Sequence, residues 1–275
     1  MSSARQSRRK AFFAAHPHCI FCGGTYPASE FDEVPPRALF QGRVWPEGYR
    51  FPACVSCNNG SHKADEFLTF LALCAEDPTN DNDLAARHKT IRSIARARGL
   101  GKELIASARD VRNACNRYGL KLSPGMTTAD VPALTLSGPR AKTLLSTSAT
   151  KLACALHYKH AGKAIPSHGG ILFYLVTNAE ILGRGPLDLE AIPFNRVNPS
   201  RGSQVLTDRF EYLWSVSDDK SLGLYAVRFE QSFSMVIAVS TDDPDHLLDL
   251  GGSIMSPFVH GQARQGPPLR RRDAA

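Results

Sequence analysis

Apolar and polar positions change their period along the chain, and this change divides the sequence near residue 122. Before that point, apolar residues recur at helical spacing, as Phe67, Leu68 and Leu71 do after CNNGSHKADE. Positions three or four apart share one face of an α-helix, so this run predicts an amphipathic helix that begins near Asn58. After that point, short runs rich in β-branched and aromatic residues dominate, which is typical of strands.

The second half of the chain predicts one helix and a small sheet. A helix is expected in AKTLLSTSATKLACALHYKHAGK, where Gly162 stops it. His157 and His160 lie near its end, where the helix dipole favours a positive charge. Strands are expected in GILFYLVTN, EYLWSVSD, GLYAVRFE and FSMVIAVS. A helix packed on a mostly antiparallel sheet would bury these apolar faces, so residues 122–260 are predicted to form an α+β domain.

The middle of the chain, residues 76–121, is predicted to be a basic helical segment. It opens with DPTNDND, which is rich in turn formers and helix caps and reads as a linker. One or two helices follow, and we expect them to be broken around Gly99 and Gly101. A further short helix is expected around Ala11–Ala15.

The chain is basic, and its charge is concentrated in three segments. The formal net charge is +7 at pH 7. Residues 1–10 hold four basic residues and no acid, residues 84–121 hold ten against two acids, and residues 264–273 hold four against one. The two ends, 1–10 and 261–275, are predicted to be disordered. Such basic clusters favour binding to a polyanion, because neutralising its phosphates releases counterions. A basic helix face is equally typical of a solvated surface.

Four cysteines in two CxxC pairs carry the strongest chemical signal. Cys19 and Cys22 form the first pair, and Cys54 and Cys57 form the second after 31 intervening residues. Two such knuckles supply the four thiolates that a structural zinc ion prefers, with Zn–S bonds of about 2.3 Å. The alternatives are buried cysteines without a metal or two disulfides, and the lack of a secretory signal disfavours disulfides. We predict a closed, structural zinc site that stabilises the local fold.

Polar residues lie beside each knuckle and suggest a second metal site. Asp32 and Glu33 end a predicted strand, because the prolines after Val34 cannot donate to a sheet ladder, so their side chains can splay towards one ion. Asn58 and His62 are four residues apart and share a helix face. Oxygen ligands, one imidazole and water suit Mg²⁺ or Mn²⁺.

Plainer roles for the same residues stay open at this point. Asn58 can be a helix N-cap, Asp32 a turn residue and His62 a solvated surface side chain.

Together these motifs resemble a known family. CIFCG, DEVPPRALF, RVWPEGYRFPAC and CVSCNNGSHKADE resemble the zinc-bearing branch of the HNH endonucleases, a ββα-metal module, in a bacterial subgroup with a Val-Pro-Pro signature. The resemblance extends with less specific motifs into KLACALHYKHAGK and DRFEYLWSVSDD. It implies that residues 11–75 form a zinc-bound HNH-like module in which a hairpin is followed by a helix at the second knuckle.

The resemblance also implies an activity, the metal-dependent hydrolysis of DNA phosphodiester bonds. A Mg²⁺ or Mn²⁺ ion on Asp32, Asn58 and His62 would polarise the scissile phosphate while a base activates water. Arg37 and Lys63 would lie near the phosphate.

Two positions depart from the family pattern. Glu33 stands where the family has histidine, and a carboxylate with a reference pKa of about 4.3 is a poorer proton acceptor at neutral pH than imidazole. Three possibilities remain open: Glu33 acts as the base or as an extra metal ligand, His62 acts as the base, or cleavage is lost. The sequence GYRFPAC also lacks the asparagine that often precedes the second knuckle.

Three functions are therefore compatible with the sequence. They are an HNH endonuclease, a catalytically degenerate zinc protein that binds nucleic acid without cleaving it, and an interaction protein whose knuckles support a protein-binding surface. DNA is the expected partner of the first, and RNA remains open. No apolar run reaches the roughly 18 residues that a bilayer crossing requires, so we expect no membrane partner, and the unpaired thiols predict a cytoplasmic location.

Overall fold

The structure is a computed structural model, and it describes most of the chain. The described residues are 3–40, 42, 44–74, 81–96, 100–185, 193–207, 209–229, 232–250, 254–259 and 262–265. Within them, helices and antiparallel sheets are mixed, which confirms the α+β class. None of the helices in these ranges combines the length and apolarity needed to cross a membrane.

The N-terminal part contains two helices and one hairpin. Its elements are α1 (Ser3–Ala15), β1 (Glu30–Glu33), β2 (Arg50–Ala53) and α2 (Val55–Cys74), with a short 3-10 helix at Arg37–Leu39. Strands β1 and β2 are antiparallel, so that Asp32 faces Phe51 and Glu33 faces Arg50.

Two predicted boundaries in this part were wrong. Residues 3–10 are the first turns of α1 and not a disordered arm, because they are rich in good helix formers and the helix is anchored by Phe12 and Phe13, whose rings lie 4.9 Å from that of Phe31. Helix α2 begins at Val55 and not near Asn58, so the second knuckle forms its first turn.

The middle of the chain is helical, as predicted, but it is divided differently. Its helices are α3 (Asp81–Arg96), α4 (Leu100–Leu104) and α5 (Ala108–Tyr118). Gly101 lies inside α4 and is not a break, while Gly99 and most of the predicted linker lie outside the described residues. Helix α5 has clear ends, because Ser107 and Asp110 form a capping box and Gly119 adopts a left-handed conformation with φ of 68°.

The C-terminal part is a long helix on an antiparallel sheet. Its elements are α6 (Pro139–Ala161), β3 (Gly170–Thr177), α7 (Asn178–Arg184), β4 (Asn195–Val197), β5 (Ser200–Arg201), β6 (Gln204–Val205), β7 (Glu211–Val216), β8 (Leu222–Phe229), β9 (Phe233–Ser240), β10 (Met255–Val259) and β11 (Gln262–Gln265). The main sheet has the order β11-β10-β3-β9-β8-β7-β4. The four predicted strands are β3, β7, β8 and β9, and Gly162 ends α6 as expected.

Part of the predicted C-terminal tail is ordered. Residues 262–265 form β11, which pairs with β10, so the tail is not irregular over this stretch. Pairing satisfies the backbone groups of a strand edge that water would otherwise have to satisfy. Residues 266–275 lie outside the described residues.

The larger of two hydrophobic clusters among the described residues joins the N-terminal and C-terminal parts of the chain. It includes Phe21 and the knuckle cysteines from the N-terminal part together with Leu152 of α6 and Tyr225 of the sheet. Helix α6 packs on α2 and also contacts β8, β9 and β10. The N-terminal part is therefore held against the C-terminal sheet by α6, and this contact brings distant residues to the candidate site.

Candidate metal centre and the acidic pair beside it

The four knuckle cysteines come together at one point. Their Sγ atoms all lie within 4.8 Å of one another, and all four side chains are buried. Cys19 and Cys22 lie on a tight turn, and Cys54 and Cys57 flank the start of α2. Gly23 closes the first turn with φ of 64°, and a Cβ there would lie 2.6 Å from the backbone nitrogen of Ser167. Only glycine therefore fits this position.

This donor set fits a zinc ion. Tetrahedral coordination with Zn–S bonds of about 2.3 Å requires sulfurs about 3.8 Å apart, which four thiols inside 4.8 Å can reach with small side-chain movements. All four are free thiols in the structure, so they are not paired as disulfides. The cluster supports the zinc site that the CxxC spacing predicted.

The electrostatics of the cluster favour a cation at its centre. Hydrogen bonds from Cys19 and Cys57 lower the pKa of Cys22. Hydrogen bonds to Cys19 and Cys22 raise the pKa of Cys57. The protein groups alone therefore stabilise one thiolate at the expense of its neighbours, and a divalent cation is needed to hold all four ionised.

The knuckles are also tied to the C-terminal part. The backbone N–H of Phe258 in β10 donates to the carbonyl of Phe21 at 2.7 Å, and the two rings stack at 6.2 Å. Cys154 of α6 is fully buried near the cluster, where burial and the charges of Cys19 and Cys22 raise its pKa. A zinc ion at this place would stabilise a contact between distant parts of the chain.

Asp32 does not face solvent but a buried lysine. Its side chain lies on the core side of β1 with 5% exposure, and its Oδ1 is 2.9 Å from Nζ of Lys151. The same Nζ is 2.6 Å from Oδ2 of Asp65 on α2. Lys151 comes from α6 and is 2% exposed. We call Asp32, Lys151 and Asp65 the buried ionic triad.

The charges in the triad do not balance. Burial raises the pKa of Asp32 to about 6, against the attraction of Lys151 and with a further rise from Asp65. Burial alone would lower the pKa of Lys151, but the two carboxylates outweigh it and raise that pKa. Burial raises the pKa of Asp65 as well. Two carboxylates share one ammonium, so the fully ionised triad is negative and the coupled set takes up a proton more readily than two free aspartates would. The second oxygen of Asp32, Oδ2, is buried with no hydrogen-bond partner among the described residues.

Glu33 points away from Asp32 and has other cationic partners. Its Oε1 accepts a hydrogen bond from Arg37 at 2.8 Å and lies 3.7 Å from Nε of Arg50. Successive residues of a strand face opposite sides of a sheet, and these two carboxylates remain on opposite sides in spite of the prolines that follow. Asp32 therefore pairs with Lys151, whereas Glu33 pairs with Arg37 and Arg50.

The two polar residues on α2 lie apart from the triad's lysine. The His62 side chain is 72% exposed, and its Nδ1 is 3.7 Å from Oε1 of Glu66. Asn58 is half-buried, and its backbone N–H donates to the carbonyl of Cys54 as part of the helix, so it is not an N-cap. Lys63 is exposed on the same helix.

The structure thus brings together a different set of residues around Asp32 from the set that the sequence predicted. Asp32 meets Asp65 and Lys151, both of which the sequence interpretation missed. A signal was present, because Lys151 interrupts an otherwise small and apolar run in α6. Among the described residues, the four cysteines are the group of His, Cys, Asp or Glu side chains close enough to share an ion.

Of the histidines at the end of α6, His157 is buried and His160 is half-buried, and they do not form a charged helix terminus. His157 is fully buried, with Nδ1 3.1 Å from the hydroxyl of Tyr225, and burial lowers its pKa to about 4. His160 stacks on Trp214 at 4.0 Å, and burial also lowers its pKa to about 4. Packing against the sheet outweighs the helix dipole, and both rings are neutral at pH 7.

Comparison of the chain with models of known protein families, with curated proteins and with solved structures finds no match.

Proposed function

We propose that the protein binds nucleic acid on a zinc-stabilised, HNH-like scaffold and does not cleave it while the buried ionic triad is closed. The observation that carries this proposal is the Lys151 ammonium, 2.9 Å from Asp32 and 2.6 Å from Asp65. In the family that the sequence resembles, a catalytic metal would need the Asp32 carboxylate. Here that carboxylate is already bound to a cation.

Opening the triad would be costly. A divalent ion that displaced the Lys151 ammonium would leave a lysine with 2% exposure and no counter-charge. Separating a buried ion pair in this way typically costs about 3–5 kcal/mol. The ammonium therefore competes with a metal for the same carboxylates.

The candidate bases support the same conclusion. Glu33 Oε1 accepts from Arg37 and lies close to Arg50, so one of the two oxygens of this carboxylate is engaged. His62 is exposed on α2 beside Glu66. Neither side chain is directed at the buried Asp32 by a hydrogen bond.

Nucleic acid is the partner that the charge distribution favours. Helix α1 carries Arg5, Arg8, Arg9 and Lys10 and no acidic residue, and these side chains are exposed. An exposed basic helix gains binding free energy from a phosphate backbone through counterion release.

Metal-dependent DNA hydrolysis is a second candidate, and one observation favours it. Oxygens of Asp32 and Asp65 converge on a single point, the Lys151 ammonium, and Oδ2 of Asp32 has no partner among the described residues. Two convergent carboxylates are the ligands that Mg²⁺ and Mn²⁺ prefer. This candidate requires that substrate or metal moves Lys151 away.

Plasmid nicking and oligonucleotide binding, measured on one preparation, separate the two candidates. We expect salt-sensitive binding and no nicking in Mg²⁺ or Mn²⁺ by the wild-type protein. The matched variant is Asp32→Asn, which keeps the shape of the side chain and removes its charge. Nicking by the wild type that Asp32→Asn abolishes would establish the hydrolase and overturn the first proposal. Absence of both binding and nicking would overturn both.

A further inference from the structure

Three arginines and three aromatic rings pack together on the surface next to Glu33, where the Phe13 and Phe31 rings also stack on each other at 4.9 Å. Arg9 lies 5.1 Å from the ring centroids of both Phe13 and Phe31. Arg50 lies 4.9 Å from the Phe31 ring and 5.3 Å from the Trp45 ring. On the far side of this group, Arg37 lies 4.5 Å from Trp45. We call Arg9, Arg50 and Arg37, together with the rings that they contact, the arginine ladder.

The ladder is assembled from distant segments. Arg9 belongs to α1, Arg50 to β2, and Arg37 to the turn after β1. A fourth arginine, Arg201 of β5, donates to the backbone carbonyl of Trp45 at 3.2 Å and places another exposed cation at that end. No single stretch of sequence displays this row.

Stacking leaves the arginine donors available. A guanidinium that rests its flat face on a ring keeps its N–H groups in its own plane, directed away from the ring edge. The side chains of Arg9, Arg37 and Arg50 remain 45%, 40% and 41% exposed. The rings therefore hold the guanidinium groups in place while part of each remains exposed, although Nε of Arg37 is buried, and this reduces the entropy lost on binding an anion.

The acids near the ladder do not use all of its donors. Glu30 lies 3.7 Å from Arg9, and Glu33 is shared by Arg37 and Arg50. Arg9 also donates to the backbone carbonyl of Ser29, and Nε of Arg37 is buried. Each guanidinium has five N–H donors, so these contacts still leave donors on each arginine for a ligand. Glu47 is exposed in the loop before β2, and the basic face of α1 continues the surface on the other side.

We infer that the arginine ladder binds the phosphate backbone of a polynucleotide, an inference that rests on the proposed nucleic-acid function. Arginine forks match phosphate oxygens in a bidentate manner, and a row of cations suits successive phosphates better than one isolated anion. Guanidinium groups lie against all three rings, Phe13 and Phe31 also cover each other, and Trp45 is 7% exposed, so little ring surface remains for a base to stack on. Binding at the ladder is therefore independent of base sequence.

The test is anisotropy binding of labelled single-stranded and duplex oligonucleotides to the full-length protein over a salt series. The double variant Arg9→Gln/Arg50→Gln is expected to weaken binding about tenfold or more. It should also reduce the slope of log K against log salt by about 1.4 on single strands and about 1.8 on duplex. Oligonucleotides of different sequence should respond alike.

The matched control removes two charges elsewhere. Arg140→Gln/Lys142→Gln changes two exposed residues at the start of α6, about 15 Å along the helix from Lys151, and should leave affinity within about twofold. The charge-preserving variant Arg9→Lys/Arg50→Lys should keep the salt slope and lose a few-fold in affinity, because lysine lacks the fork. Circular dichroism and zinc content check that each variant is folded.

The possible outcomes are distinct. Wild-type binding that the ladder variant and the control retain equally would overturn the ladder and leave the nucleic-acid function standing. A wild-type protein that binds no oligonucleotide would overturn the proposed function and this inference with it. Displacement of the oligonucleotide by inorganic phosphate at an equal phosphate concentration would show a site for a free anion and refute the polynucleotide assignment.

Discussion

Two sets of residues in the N-terminal part behave in opposite ways. Four cysteines from two separate turns converge within 4.8 Å, whereas neighbouring Asp32 and Glu33 diverge to different cations. The CxxC spacing fixes a tight turn in which both sulfurs face one point, so each pair is already a half-site. A strand alternates its side chains, so adjacent carboxylates are separated unless the backbone is irregular. Proximity in sequence therefore predicts a shared site only when the local backbone supports it.

The largest expected effect is on the converging set. Cys54→Ser should remove the bound zinc and destabilise the protein by about 5 kcal/mol or more, because zinc sites of this kind contribute directly to folding. Plasma emission spectrometry measures the zinc content, and thermal unfolding measures the stability. Cys115→Ser, a change at a half-buried thiol of α5, is the control and should keep both zinc and stability. A Cys54→Ser protein with unchanged zinc and Tm would contradict the metal centre.

The next effect concerns the buried ionic triad. Lys151→Met should lower the free energy of unfolding by about 3–5 kcal/mol, because it leaves Asp32 buried and Asp65 partly buried, at 22% side-chain exposure, without a counter-charge. The triple variant Asp32→Asn/Lys151→Met/Asp65→Asn should regain much of that loss. Urea unfolding gives both values, and Lys142→Met on the exposed face of α6 should change stability by less than about 0.5 kcal/mol. Equal stability of the Lys151 and Lys142 variants would show that the triad is not closed in solution.

The triad should also shape the pH dependence of stability. The folded pKa of Asp32 is raised from 3.8 to about 6, so this group favours the folded state below about pH 4 and loses that contribution as the pH rises through 6. The shift corresponds to at most about 3 kcal/mol. Asp65→Asn leaves one carboxylate for one ammonium and should flatten this part of the profile. Urea unfolding between pH 4 and 7 compares the two proteins, and parallel profiles would argue against a shared proton.

The smallest effect is expected on the solvent side of β1. Glu33→Gln removes a carboxylate that is 27% exposed and paired with arginines that are about 40% exposed. Such pairs contribute about 0–1 kcal/mol, so stability should change by less than about 1 kcal/mol. Urea unfolding of Glu33→Gln and Lys151→Met, measured side by side, compares their effects on the free energy of unfolding. A loss as large as that of Lys151→Met would mean that the two faces of the strand are energetically alike.

Much of the fold follows from local patterns in the sequence. Alternating and β-branched runs predicted β3, β7, β8 and β9, and Gly162 marked the end of α6. The errors share a cause. The first turns of α1 are held by Phe12 and Phe13 against Phe31, and His157 is buried by the sheet. Both depend on contacts between segments that no local pattern contains.

At the candidate site, too, local patterns were predicted and contacts between distant segments were missed. Its cysteines were predicted because the knuckle motif is short and repeated. The partner of Asp32 was missed because Lys151 and Asp65 lie 86 positions apart and meet only when α6 packs on α2. Arg37 was predicted to lie near phosphate, but its grouping with Arg9 and Arg50 was missed for the same reason, since the members of the arginine ladder come from α1, β2 and the turn between the strands.

The sequence by itself determined the α+β class and the four thiols that can hold zinc, because helical period, strand alternation and CxxC turns are short-range properties of the chain. Only the tertiary structure decided which cation meets each carboxylate, because packing of α6 brings Lys151 to Asp32 while β1 turns Glu33 towards Arg37 and Arg50. Charges act through space, and a low-dielectric interior makes the nearest charge the decisive one.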